Sequence, residues 1–196
     1  MVFEGHRRVS HKDGSDEESW FPFKCGHCKR EVSGAVVSLY RGILWLACPI
    51  CGGGSVRDSN GIVHPGVPFG PDIEGMPTNT LEAYDEARRC MSVNAYTSCE
   101  LTCRKILMHV AVEKGAKEEE SFSSYLSYLE RLGFVTPPMK GWVDLIRQHG
   151  NKAAHLLEKP SRERSESTLM FTAELLRLVY EMEHLSKRYA EKPAKL

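Results

Sequence analysis

Four cysteines in two C-x2-C pairs, Cys25-Gly26-His27-Cys28 and Cys48-Pro49-Ile50-Cys51, constrain this chain more than any other feature. The 19 residues between the pairs fall inside the C-x2-C-x15–20-C-x2-C window of structural zinc sites. Two residues between cysteines let both thiolates turn toward one point, with backbone N–H groups aimed at the sulfurs. Two such knuckles supply the tetrahedral sulfur set that zinc accepts. Val32–Tyr40 and Ile43–Ala47 read as strands joined at Arg41-Gly42, a hairpin that brings the second knuckle back to the first. Ser55–Val63 reads as a further hairpin turning at Asn60-Gly61. The pattern predicts a zinc ribbon over residues 20–63, with Cys25, Cys28, Cys48 and Cys51 holding a structural Zn2+. So small a sheet buries too little surface to fold alone, so the metal would contribute folding energy outright. A four-thiolate shell is closed, which argues against a catalytic zinc and leaves His27 outside it.

The rest of the chain has another texture. His64–Thr78 holds Pro65, Pro68, Pro71 and Pro77 with three glycines, a composition that predicts an extended linker over 64–77. Long helical patterns follow. Thr78 or Asn79 can cap a first helix running to about Met91. A second, from near Asn94 to Lys114, carries the stripe Tyr96, Cys99, Cys103, Ile106, Val110, which is a buried face. Cys90, Cys99 and Cys103 are therefore expected in packing roles rather than in a second metal or redox site. Ser121–Leu132 predicts a third helix ended by Gly133. Pro137-Pro138 opens a fourth that Gly150 is expected to end, followed by a short helix Asn151–Leu157. The last, about Glu163–Ala190, has the stripe Phe171, Leu175, Leu178, Met182, Leu185, Tyr189. Its breadth suits a bundle, with part left for a homodimer. The fold class is thus α+β: a small antiparallel ribbon, then an all-α bundle over 78–192.

Residues 1–19 are polar and charged, and they are expected to form a flexible arm. They show no signal-peptide pattern, and no apolar run approaches the ~18 residues of a membrane span. Seven cysteines, an odd number, argue against a disulfide framework and for a reducing, cytoplasmic setting. The chain carries 26 basic and 26 acidic residues, with 8 and 9 before residue 76 and 18 and 17 after it. Neither half attracts phosphate by net charge, so any polyanion must be recognised locally. On the ribbon, Lys24, Lys29, Arg30, Arg41 and Arg57 with Trp20, Phe21, Phe23, Tyr40 and Trp45 can make a basic aromatic face. The plainer alternative places the aromatics in the ribbon core.

Leu145–His155 (LIRQHGNKAAH) is the most unusual stretch. Arg147, Asn151 and His155 lie about one helical turn apart around the expected break. A cation, an amide and an imidazole at a helix corner suit phosphate binding or acid–base work. The alternative gives them capping and packing roles. Glu86-Ala87, Cys103-Arg104-x-x-Leu107, Leu129 to Gly133 and above all Arg147-x-x-Gly150-Asn151-x-Ala153-Ala154-His155 resemble the helical domain of unknown function found in restriction-endonuclease polypeptides, phage proteins and small bacterial proteins, often behind a zinc ribbon. That family is similar in turn to the HEPN superfamily. The resemblance implies a helical bundle, a dimer and a phage-defence context, with ribonuclease chemistry through an arginine, a polar residue and a histidine. Here Gly150 stands in the arginine's place, and Arg104, Lys152 or a partner chain would supply the charge.

Three functions follow as expectations. The first is a non-enzymatic binding module of a restriction or defence system, docking on nucleic acid through Lys29, Arg30, Arg41 and Lys152 or on a protein partner. The second is a metal-independent ribonuclease with Arg147, Asn151 and His155 as catalytic residues. The third is a dimeric structural or regulatory subunit.

Overall fold

The computed structural model describes residues 9–10, 16–17, 20–153 and 159–190, with side chains described over 20–148 and 159–190. The chain forms two compact units, Met1–Pro68 and Phe69–Leu196.

In the first unit, β1 (Val9–Ser10) pairs with β2 (Asp16–Glu17). A five-stranded antiparallel meander follows in the order β3 (Trp20–Lys24), β4 (Glu31–Tyr40), β5 (Ile43–Ala47), β6 (Gly54–Arg57), β7 (Val63–His64). The β4–β5 turn falls at Arg41-Gly42 as expected. Both residues have positive φ, 49° and 78°, the mirror-image turn that matches strand twist. The next hairpin is organised by Asp58, whose Oδ1 accepts the amides of Asn60 and Ile62, both at 2.9 Å. Alternation along the strands sends Phe23, Val32, Val36 and Leu46 to one face, where they form a small core with Cys25 and Cys48.

The second unit is helical: α1 (Thr78–Ser92), α2 (Tyr96–Glu113), α3 (Phe122–Arg131), α4 (Lys140–Ala153), α5 (Arg162–Leu176) and α6 (Met182–Ala190). Ser121 and Ser161 cap α3 and α5 by accepting the amides of Ser124 and Arg164. Cys99, Cys103, Ile106 and Val110 on α2 are all buried against α1, α3 and α5. The Phe69–Gly75 half of the Pro/Gly stretch lies against this unit. Ile73 enters the core, Tyr84 Oη donates to Pro71 O (3.0 Å), and buried Arg88 donates from Nε to Phe69 O (3.0 Å) and from Nη2 to Gly70 O (2.8 Å).

Three expected details differ. α1 begins behind Pro77, with no side-chain cap at that position. Asn79 Oδ1 instead accepts the next amide, Thr80 N, at 2.9 Å. α4 does not end at Gly150 but runs through it and Asn151 to Ala153. A single interior glycine costs only about 1 kcal/mol relative to alanine, less than the buried Val143 and Ile146 return. The remainder of the expected short helix, 154–157, lies outside the described residues.

Finally, the long last helix is interrupted by a π turn, Arg177–Glu181. The wider turn rotates the helix face, so Val179 and Tyr180 enter the core while Met182 and Tyr189 stand 55% and 64% exposed. The predicted stripe therefore leaves the core halfway along.

Candidate metal centre

The two knuckles have the same backbone. Cys25 N donates to Arg30 O (2.9 Å) and Lys29 N to Cys25 O (2.8 Å); Cys48 N donates to Gly53 O (3.0 Å) and Gly52 N to Cys48 O (2.9 Å). Each knuckle passes through a left-handed residue one position after its second cysteine, Lys29 at φ 62° and Gly52 at φ 73°. Glycine takes that conformation without strain, whereas lysine pays roughly 1–2 kcal/mol for it.

These turns bring Cys25, Cys28, Cys48 and Cys51 together, with all four sulfurs within 4.8 Å of one another. Cys25 Sγ stands 3.8 Å from Cys51 Sγ, and Cys28 Sγ 3.8 Å from Cys48 Sγ. Zinc–sulfur bonds of 2.3 Å in a tetrahedron place the sulfurs about 3.8 Å apart. The donor set thus fits a four-thiolate metal site, and the four cysteines brought together are those paired by the spacing. Gly53 N donates to Cys51 Sγ at 3.4 Å.

The thiols are unequal. Burial pushes Cys25 up to about 11. At Cys48 burial also opposes ionisation, but the amides of Cys51 and Ile50 aim at the sulfur and bring it down to about 7. Thiolates this close repel one another unless a cation sits among them.

Two supports of the centre were not legible in the spacing. His27 is a brace: its Nε2 meets Gly54 O at 2.9 Å, tying the first knuckle to the strand after the second, and its ring lies on Gly53. Gly26 admits the carbonyls of Pro65 and Gly66 where a side chain would stand. The only sequence signals were a histidine and a glycine between the cysteines.

Outside the centre, both sequence alternatives for the ribbon aromatics hold in part. Phe21 and Phe23 belong to the core, Phe21 under the Arg57 guanidinium at 5.2 Å. Trp20, Tyr40 and Trp45 project from the opposite sheet face, as the pairings Trp20↔Ala35↔Ala47 and Tyr40↔Ile43 require. They are 48%, 53% and 41% exposed. Lys29 and Arg30 precede β4 and Arg41 follows it. A ten-residue strand separates them by roughly 30 Å, so they do not form one cluster.

Arg147 faces carboxylates. Its Nη1 donates to Asp144 Oδ1 (2.8 Å), and its Nη2 to Glu130 Oε2 (3.1 Å) and Ser127 Oγ (3.2 Å). Asn151 and Lys152 are backbone residues of α4 whose side chains lie outside the described set, as does all of His155. Cys99 and Cys103 are buried core thiols, and partly buried Cys90 packs against the same core. Hydrogen bonding to Cys99, together with burial, holds the Cys103 thiol well above its usual range. Among the described residues no helix is long and apolar enough to cross a membrane.

The family described as Domain of unknown function (DUF4145) matches residues 85–192, which covers most of the helical unit. No curated protein and no solved structure matches the chain.

Proposed function

The chain belongs to the family of that domain of unknown function (DUF4145), and from this premise we propose that it is a binding module whose ribbon, stapled by a structural zinc ion, presents an aromatic sheet face to single-stranded nucleic acid. The observation that carries the reading is the exposure of Trp20, Tyr40 and Trp45 on one face of the β3–β5 sheet. Bases stack on such side chains whatever their sequence, at about 1–3 kcal/mol per base. Arg41 lies beside this face, its guanidinium 5.3 Å from the Tyr40 ring centroid, and Lys29 and Arg30 stand at the other end of β4. A strand of nucleic acid laid along β4 meets cations at both ends and aromatics between them. The restriction or phage-defence setting is supported by the resemblance of the helical half. A homodimer is supported by that resemblance and by exposed Met182 and Tyr189 on α6.

A non-catalytic role agrees with the state of Arg147. A guanidinium already held by Glu130 and Asp144 has little charge left for a phosphorane. The test is a salt-titrated binding assay with fluorescent single-stranded RNA and DNA. Binding that weakens with salt and falls about tenfold in Trp45→Ala supports the reading. No binding, or binding indifferent to Trp20→Ala and Trp45→Ala, overturns it and leaves a protein partner for that face. Cleavage of the RNA by the wild type but not by His155→Ala would establish the ribonuclease instead. One zinc per chain by elemental analysis, lost on Cys48→Ser, tests the metal.

A further inference from the structure

A second polar site lies in the helical unit, away from both the cysteines and Arg147. The π turn presses Tyr180 against α2, where its phenol donates to Glu113 Oε2 at 2.7 Å. Burial and that carboxylate hold the phenol well above its ordinary range. Glu113 also faces Lys114 Nζ (3.6 Å) and His109 Nε2 (3.9 Å), and Asn79 Nδ2 reaches the same His109 nitrogen at 3.3 Å. A chain of polar groups thus runs from the π turn across α2 to the first turn of α1. Beside it is a groove of about 210 Å3, lined by Asn79, Thr80, Ala83, Lys105, Ile106 and His109.

Three observations point to an oxyanion. Lys105 and His109 stand one turn apart on α2, so both reach the groove from one side; among the described residues Lys105 has no carboxylate partner. α1 begins here with no acidic residue in its first turn and no side-chain cap on Pro77, leaving the positive end of its dipole to the groove. Independently of both, Thr80 is 2% exposed and its hydroxyl has no partner in good hydrogen-bond geometry. The acceptor beside it is the Tyr180 phenol oxygen, whose own proton goes to Glu113. A buried hydroxyl so poorly paired costs up to about 1–3 kcal/mol, which a better-placed acceptor oxygen in the groove relieves. Among the described residues Glu113 is the carboxylate that faces His109, and it is already held by Lys114 and the Tyr180 phenol.

We propose that this groove binds the phosphate group of a small phosphomonoester, with Lys105 as its cation, His109, Asn79 and Thr80 as hydrogen-bond donors, and Ile106 and Ala83 under the ester's organic part. The full-length protein is titrated with inorganic phosphate, phenyl phosphate and benzoate by calorimetry at matched ionic strength. Phenyl phosphate is expected to bind more tightly than phosphate, and both more tightly than benzoate. Lys105→Ala and His109→Gln are each expected to weaken phenyl phosphate about tenfold, the loss of one charge-assisted hydrogen bond, while Lys117→Ala leaves it unchanged. Thr80→Val is expected to raise thermal stability, by removing a poorly paired hydroxyl, and to weaken phenyl phosphate. No saturation by about 10 mM, benzoate binding as tightly as phenyl phosphate, or wild-type affinity in the folded Lys105→Ala/His109→Gln double variant overturns the proposal.

Discussion

Replacing Arg88 by alanine tests how the Pro/Gly stretch is held to the helices. The guanidinium is buried and closes four contacts: Nε to Phe69 O (3.0 Å), Nη2 to Gly70 O (2.8 Å), and Nη1 to Asp72 Oδ1 (2.7 Å) and Asp85 Oδ1 (3.2 Å). The two carbonyl bonds are charge-assisted and shielded, worth about 1.5–3 kcal/mol each. The Asp72 pair counts for less, because that carboxylate is 72% exposed and water screens it. Truncation is therefore expected to cost about 4 kcal/mol in urea unfolding of the helical unit. At roughly 3–5 °C per kcal/mol for a unit of this size, the melting midpoint falls about 12–20 °C. Arg88→Lys keeps the charge but cannot span two carbonyls and a carboxylate, so it recovers less than half. Hydrogen exchange separates local from global loss: Phe69–Gly75 amides should lose protection in the alanine variant before the α2 amides do. An alanine variant within 1 kcal/mol of wild type, with those amides still protected, would refute the reasoning.

Other outcomes follow from single contacts. Gly26→Ala drives a Cβ into the carbonyls of Pro65 and Gly66, so it should lower metal retention against a chelator, whereas Gly52→Ala meets open space and bears only the strain of positive φ. Glu181 is held below the 4.5 of a free glutamate, first by the hydrogen bond from Arg177 and then by the amide of Glu74. A carboxylate depressed in the folded state contributes stability that is full above its unfolded pKa and fades as pH falls through the folded one. The stability advantage of wild type over Glu181→Gln should therefore be constant at neutral pH and close below about pH 4.5. Chelation, or Cys25→Ser with Cys28→Ser, should abolish the ribbon's near-ultraviolet signal from Trp45 and leave the melting of the helices unchanged. Gly150→Ala should stabilise the protein by about 0.5–1 kcal/mol if Gly150 is interior to α4; destabilisation would mean that it ends the helix.

What the sequence disclosed followed from how far apart the interacting residues lie along it. The knuckles, the Arg41-Gly42 turn and the Cys99–Val110 stripe are local patterns. Spacing alone sets where their side chains go, and the structure places them as read. The bracing of the knuckles, the strap under Arg88 and the ties on Arg147 depend on partners that no period announces. Arg147 meets Ser127 and Glu130 from 20 and 17 positions away, and Tyr180 meets Glu113 from 67. The π turn was hidden for a related reason. The apolar residues keep a helical period through it, and only packing against α1 and α2 decides that Tyr180, rather than Met182, turns inward.

That difference bears on where a polyanion can be recognised. A phosphate approaching Arg147 must displace two carboxylates, one of them 29% exposed and so only partly screened by water. Its gain is an exchange of one anion for another, and electrostatics supplies little of it. Arg41 and Lys105 have no carboxylate partner among the described residues, and each stands beside a surface able to take the rest of a ligand. For Arg41 that surface is the aromatic sheet; for Lys105 it is the groove beside Thr80. On both proposals, a chain of zero net charge takes anions where its cations have no carboxylate partner. Substituting Arg147 should alter stability more than affinity, and substituting Arg41 or Lys105 should do the reverse.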